Sequence, residues 1–509
     1  MAAGTKRRTG RQRRMAARAA PPVINPAPPG QTGGQYRPLS DSDLSAIYET
    51  ALRLLAEPGM GEVPERLTRD LLRAGAVEGR PGRISIPRTL VEQAIETTPK
   101  RFTLHGRDPE RSIEVGGDDV YFGTGGAAVQ TLDLETGGYR PSTLADLHDF
   151  TRLQDVLTNI SWFTRCCVAT DVEDILDLDL NTAYALLRNT TKPVATSFTL
   201  ASSIPPVVEM FDIAAGGPGQ FSARPFCTAH ISPVISPLRY GEDAVDVIYA
   251  SAEHNLPINC ITAAQSGATA PATLAGFLAQ SLAETLASLV AVHAIRPGHP
   301  MVFSNWPFVI DLRTGAFSGG GGEIALLNAA AAQLSNWLGL CSGVAASMTD
   351  AKAIDAQYGM EKGLTSLAAA LAGGNLIYES AGMTASLLGV SFEGFVLDDE
   401  MHANSYRILR GVEVDEDTLG YDAILEAVLG EGHFLGTPHT YRAMERDYVY
   451  PKLADRMEPY SWAEAGSLDA WARARDRAQE ILATHHPAYL SEEVEAEIRA
   501  RFRILDPPA

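Results

Sequence analysis

From Asp119 onward the chain repeats one pattern eight times, an apolar run followed by a stretch of helical periodicity. The runs are Val120–Gly123, Ile160–Thr170, Pro193–Thr199, Phe226–Ile231, Ile258–Ala264, Met301–Trp306, Cys341–Met348 and Leu376–Ser380. Several are unbroken rather than alternating, which suits parallel strands buried on both faces. Helical stretches lie between most of them, at Ser142–Leu157, Gly241–Ala252, Ala270–Ala294, Glu323–Leu338 and Glu361–Leu371. Such alternation over residues 119–411 predicts an α/β fold, a closed (β/α)8 TIM barrel with insertions. An open doubly wound sheet is the competing architecture, and it favours a glycine-rich dinucleotide turn after the first strand. Gly123-Thr-Gly-Gly126 stands at that place but does not continue as GxGxxG. It reads better as a close turn at the barrel mouth than as a nucleotide cradle.

Residues 36–118 read as a small N-terminal cap of helices and hairpins. Ser40 and Asp41 can cap a helix whose apolar face carries Leu44, Ile47, Tyr48, Ala51, Leu52 and Leu55, with Gly59 and Gly61 as stops. A second helix is expected over Glu65–Ala74, and extended runs at Arg83–Ile86, Phe102–His105 and Ser112–Val115. Residues 412–509, charged and aromatic with helical patterning, form a C-terminal helical extension. Residues 1–35 open with a basic tract, Lys6, Arg7, Arg8, Arg11, Arg13, Arg14 and Arg18, followed by prolines from Pro21 to Pro29. This composition predicts a disordered, solvated tail, with a partner-docking arm as the alternative.

The apolar stretch Ala16–Ala20 is too short for a secretory signal. No run of about 18 apolar residues marks a membrane span, and Ala270–Ile295, interrupted by Glu284, reads as a buried barrel helix. No membrane association is expected. Cys166, Cys167, Cys227, Cys260 and Cys341 form no CxxC pair and no even framework, which points to a reducing, cytoplasmic setting. The net charge of −20 argues against general nucleic-acid binding, which needs clustered Lys and Arg.

Barrel chemistry belongs where the strands end and the βα loops meet. Those positions are Thr124, Arg165, Phe198, His230, Ser232, Gln265, Ser266, Asn305, Trp306, Phe308, Asp350, Lys352, Glu379 and Ser380. The set is aromatic and polar, with few carboxylates and no Ser-His-Asp arrangement or clear nucleophile. No metal site is expected: Cys227 and His230 are an odd number of residues apart on one strand and point to opposite faces. Aromatic faces attract a quaternary nitrogen, and Trp306, Phe308 and Phe198 are candidates for such walls, with ordinary packing at the mouth as the alternative. Gly319–Gly322 reads equally as a flexible lid or a plain linker. The densest polar motif follows the seventh strand, Ser347-Met-Thr-Asp-Ala-Lys352, Asp355-Ala-Gln357 and Glu361-Lys362. Thr349 and Asp350 would aim into the mouth. Asp355 would cap the next helix, placing Gln357 and Glu361 on one face, an arrangement that serves a solvated helix start as well as a site.

The chain resembles the trimethylamine methyltransferase family. The match is carried by Phe122-Gly-Thr-Gly-Gly126 with Arg140-Pro-Ser, by Thr349-Asp-Ala-Lys with Asp355-Ala-Gln and Glu361-Lys362, by Gly373-Gly-Asn-Leu-Ile-Tyr378 with Ala381-Gly-Met, and by Leu397-Asp-Asp-Glu400. Gly432-His-Phe-Leu-Gly, His439-Thr, Pro451 and Asp455-Arg456 complete it. The resemblance implies a TIM barrel that moves a methyl group from an amine to the cobalt of a separate corrinoid protein. It also implies no tightly bound cofactor, since the corrinoid (cobalamin) arrives with that partner. The trimethylamine enzymes carry pyrrolysine in the mouth, whereas this chain has only standard residues. That sets it beside non-pyrrolysine members resembling glycine betaine methyltransferases and related quaternary-amine demethylases.

The expected activity is therefore methyl transfer from a quaternary, betaine-like amine to a partner corrinoid protein, possible also for a tertiary amine and compatible with a homo-oligomer. The aromatic set around Trp306 and Phe308, with Phe198, would hold the ammonium end. One of His230, Arg165 and Lys352 would hold a carboxylate, with Gln265, Asp350 and Glu379 as further candidates for substrate contact. Two other classes remain open at this point: a zinc or acid/base lyase or hydrolase on the same barrel, and an amine-binding protein without catalysis.

Overall fold

Eight parallel strands close on themselves in the computed structural model, which describes residues 25–506. They are β1 (Asp119–Gly123), β2 (Ile160–Thr164), β3 (Val194–Thr196), β4 (Cys227–Ile231), β5 (Ile258–Thr262), β6 (Met301–Asn305), β7 (Ser342–Ala345) and β8 (Leu376–Tyr378). Each pairs with its sequence neighbour, and β8 returns to β1 through Leu376↔Tyr121 and Ile377↔Phe122. Every residue of β2, β4, β5 and β6 is buried, because outer helices cover one face and the barrel interior the other. All eight predicted strands are present. The runs at Ile160–Thr170 and Cys341–Met348 outlast their strands, since the chain stays buried after leaving the ladder. Cys166 and Cys167, for example, lie wholly inside, under the mouth loops.

The helices begin on short polar side chains that satisfy their free N–H groups. Thr143 and Asp146 form a reciprocal cap for Leu144–Val156. Asp355 accepts from Gln357 and Tyr358 N–H at the start of Ala356–Leu371, the capping role expected of it. Leu274–Ile295 is long and apolar enough to cross a membrane. Here it is a core helix packed against the cap helices Asp41–Ala56, Glu65–Ala74 and Arg88–Thr97. Its Glu284 is wholly buried and accepts from Ser236 Oγ, Leu238 N–H and Gln280 Nε2. The cap helix Arg88–Thr97 was not expected. Its β-branched Thr89, Val91, Ile95 and Thr97 are weak helix formers, and burial of Leu90, Val91 and Ala94 adds the tertiary support.

The N-terminal segment needs a correction. Residues 25–35 fall in the stretch predicted to be a disordered tail, yet Gln31–Thr32 add an antiparallel strand to the start of β1. Gly33 lies so close to Ala370 O and Gly373 that no Cβ would fit. The ladder edge at the barrel foot would otherwise offer unpaired backbone groups, and this short strand satisfies them. The basic tract, Lys6 to Arg18, lies outside the described residues.

Beyond residue 411 the helix Ala470–Thr484 packs on Phe392–Arg410 and Leu144–Val156. Two acids fasten this extension, buried Asp155 and half-buried Glu400. Asp155 accepts from His485 Nε2 at 2.9 Å and Tyr489 OH at 2.7 Å. Glu400 accepts from the consecutive N–H groups of Lys452, Leu453 and Ala454.

Candidate active site

Four aromatic rings from four strands meet inside the upper barrel. Trp162 on β2 and Tyr378 on β8 have centroids 5.2 Å apart. His230 on β4 lies 5.3 Å from both Trp306, just past β6, and Tyr378. Trp306 and Tyr378 are 5.1 Å apart. Phe308 extends the wall 6.3 Å from Trp306 and is itself covered by Phe317 at 4.9 Å. Glu379 follows Tyr378 at the β8–β1 edge of this group.

The polar atoms of this region are buried and largely without partners. Trp162 Nε1, both ring nitrogens of His230, Trp306 Nε1, both Asn305 amide atoms and both Glu379 carboxylate oxygens make no hydrogen bond. Native proteins pair nearly all such groups, so a concentration of orphans at one end of a barrel marks a place shaped for something else. Burial sets the charges. Glu379 is pushed up to about 8, with Lys362 opposing. His230 is driven down to about 3 by burial and then by nearby Arg165, so its imidazole is neutral at neutral pH. Arg165, partly exposed, is lowered by burial, with Asp179 the chief opposing charge, and its Nε is also unpartnered.

The glycine run after β1 makes room for these groups. A Cβ on Gly123 would overlap the Trp162 indole; one on Gly125 or Gly126 would fall 2.9 Å or 2.7 Å from the Glu379 carboxylate. The run is thus the close turn expected of it. Gly123→Ala should push Trp162 out of place and cost about 1–3 kcal/mol. Thermal unfolding monitored by tryptophan fluorescence checks this, and an unchanged midpoint with an unchanged emission maximum would refute it.

A layer behind the site fixes β8 and its loop. Lys362, wholly buried, pairs with Asp398 at 3.1 Å and donates to Ser347 O at 2.5 Å. Asp398 also accepts from Tyr358 OH at 2.8 Å and Gly382 N–H at 2.7 Å. His402 bonds to Ser380 O at 2.5 Å and stacks on Phe122 at 3.9 Å. Glu379 has φ 65, a left-handed conformation uncommon for a non-glycine residue, and this layer holds it there.

The candidate residues therefore divide. Trp306, Phe308 and His230 share one aromatic wall, Arg165 lies near His230, and Glu379, next to Tyr378, has its carboxylate against Gly125 and Gly126. Gln265 stands beside Phe308 in a small sheet above the mouth, Gln265–Ser266 with Phe308–Ile310 and Phe317–Ser318. Phe198 is buried in a different apolar cluster from the one holding Trp306 and Phe308. Asp350 is occupied as a latch, accepting from Gly319 N–H, Ser318 Oγ and Ser386 Oγ at 2.5, 2.8 and 2.6 Å. That fastens the glycine loop at 319–322 over the mouth. Lys352 is exposed and donates to Asp350 O, since its ammonium is better solvated outside. Glu361 braces the same turn, accepting from Thr349 Oγ1 and Asp350 N–H. Trp162 and Tyr378 were not foreseen.

Comparison with known proteins agrees with this layout. The family model described as trimethylamine methyltransferase (MTTB) matches residues 7–503. A glycine betaine methyltransferase of Desulfitobacterium hafniense (strain Y51) is 31% identical over 474 residues, covering 92% of this chain and 97% of that protein. The trimethylamine methyltransferase MttB of D. hafniense (strain DSM 10664 / DCB-2) is 31% identical over 464 residues, covering 91% and 92%. That of Methanosarcina barkeri is 29% identical over 475, covering 92% and 95%. With a family match spanning the whole barrel and its flanks, the chain belongs to the trimethylamine methyltransferase family and is a methyltransferase.

Proposed function

We propose that this methyltransferase takes a methyl group from a betaine, a quaternary ammonium with a carboxylate a few bonds away, and passes it to a corrinoid carried by a partner protein. The observation that carries the reading is Glu379. A buried carboxylate with neither oxygen hydrogen-bonded is costly unless a cation completes it, and Lys362 is already committed to Asp398 and Ser347. A quaternary ammonium suits the place because it offers no N–H, needs none of the missing hydrogen bonds, and is attracted by the faces of Trp162, Trp306 and Tyr378. Arg165 is the group best suited to the carboxylate. His230 is neutral, and Lys352 points outward.

The lining supplies no methyl acceptor of its own. The thiols of Cys227 and Cys260 are buried and pushed up by burial, Cys227 to about 12, which suppresses the nucleophilic thiolate. A reduced corrinoid supplies a strong external nucleophile for an N-methyl carbon. The work of this chain is to hold the N–CH3 bond in line and exclude water. Trp306 and His230 are each 5% exposed and Glu379 is wholly buried. Access for a partner's group thus requires movement of the Phe308–Ser318 hairpin and release of the Asp350 latch. Five free, buried cysteines support a reducing, cytoplasmic setting.

Calorimetric titration with glycine betaine, proline betaine, carnitine and trimethylamine tests the substrate reading. Wild type should bind at least one betaine and bind trimethylamine weakly. Trp306→Ala should weaken betaine binding by about 1–3 kcal/mol through lost cation–π attraction and packing. Equal binding by the variant, or no binding of any betaine by wild type, refutes the assignment.

A further inference from the structure

His230 carries hydrogen-bonding demands that a simple betaine does not meet. Its imidazole is buried and neutral, and neither ring nitrogen has a hydrogen-bond partner among the described residues. A neutral imidazole has one N–H to donate and one lone pair to accept with, whichever nitrogen holds the proton. Two further donors stand beside it. The indole N–H groups of Trp162 and Trp306 are also buried and unpartnered among the described residues. The rings of Trp162, His230 and Trp306 surround Tyr378, at 5.2, 5.3 and 5.1 Å. Buried indole N–H groups and other buried polar atoms normally find partners.

The donors and the acceptor are unequal in what can satisfy them. A trimethylammonium group offers neither donor nor acceptor, and a carboxylate only accepts. With both ends of such a ligand in place, the lone pair of His230 is still unmet. A hydroxyl both donates and accepts. One hydroxyl can donate to His230 and accept from the N–H of Trp306, whose ring lies 5.3 Å from the imidazole. A second ammonium would also donate, but it would face the positive charge of Arg165, which is near enough to act on His230.

We propose that the preferred ligand is a hydroxylated betaine, with its hydroxyl between the ammonium and the carboxylate and bound by His230. This rests on the betaine reading above. The place of the hydroxyl follows from the neighbours of His230. One is Tyr378, part of the aromatic wall that suits the cation and next in the chain to Glu379. The other is Arg165, the group suited to the carboxylate. A ligand that joins these two places runs past the imidazole. The neutral state of His230 is what makes it a match for a hydroxyl, because an imidazolium only donates.

The test is calorimetric titration of the full-length chain with both enantiomers of carnitine and with γ-butyrobetaine. These share the trimethylammonium, the chain length and the carboxylate, and differ in the hydroxyl. Wild type should bind one carnitine enantiomer about 10- to 100-fold more tightly than γ-butyrobetaine, the scale of leaving a buried polar group unpaired. His230→Phe keeps an aromatic ring without nitrogen and should lose that preference. His230→Gln, which restores a donor and an acceptor, should keep part of it. Equal wild-type affinity for carnitine and γ-butyrobetaine overturns the proposal, as does a His230→Phe protein that still prefers carnitine. Should His230→Phe fail to fold, the wild-type ratio decides alone. Binding of glycine betaine with neither longer compound bound overturns the hydroxyl assignment and leaves the betaine reading standing. A wild type that binds no quaternary amine overturns both.

Discussion

Glu379→Gln is expected to weaken betaine binding about 100-fold, the scale of losing one partner of a buried ion pair. The amide keeps the shape of the carboxylate and removes its charge, so an equally tight variant would mean that the cation sits elsewhere. The pH dependence should separate the two proteins. Burial raises Glu379 to about 8, and a permanent cation binds the ionised form. Wild-type affinity should therefore fall about tenfold per unit as pH drops below 8, level off above it, and be flat for the glutamine variant. Stability runs the other way. Because the folded value lies above that of the unfolded chain, the contribution of Glu379 is fully present below the usual carboxylate range and is lost as pH rises through about 8. Added betaine should restore melting temperature most at alkaline pH. A titration curve identical in wild type and variant would remove Glu379 from the site.

Asp398→Asn is expected to cost about 3–5 kcal/mol, because it strands the wholly buried ammonium of Lys362 without its counter-charge. Asparagine retains an oxygen for Tyr358 OH and Gly382 N–H, so the loss reports chiefly on the charge. Lys362→Met combined with Asp398→Asn should recover most of it, since no uncompensated charge then remains. Urea unfolding of the two single variants and the pair decides the matter. A double variant no better than the sum of the singles would show that the ion pair is not what holds this layer.

The repeating architecture was legible because buried parallel strands tend to write themselves as unbroken apolar runs, and several of the eight did. The cap helix Arg88–Thr97 was not, since its β-branched residues are weak helix formers and burial of three residues adds the tertiary support. Within the mouth, Trp306, Phe308, His230, Arg165 and Glu379 were identifiable as residues at strand ends. Trp162 was hidden inside an apolar run where an indole looks like packing, and only Gly123, which leaves space for it, carried a signal. Tyr378 lies inside the eighth apolar run, where a ring looks like packing, one residue before the left-handed backbone at Glu379. Strand-end position says nothing of whether a side chain is already engaged, as those of Asp350 and Lys352 are. Leu397-Asp-Asp-Glu400 anchors the last barrel helix to its surroundings. Asp398 holds Lys362, Asp399 accepts from Asn159 N–H at 2.7 Å, and Glu400 fastens the extension.

The most direct measurement mixes the purified chain with chemically reduced cobalamin and each amine in turn, following the visible absorbance of the cobalt for methylation. A betaine should methylate the cobalt only when the protein is present, with trimethylamine inert and Glu379→Gln strongly impaired. Methylation from trimethylamine alone, or none from any quaternary amine that binds, would contradict the account.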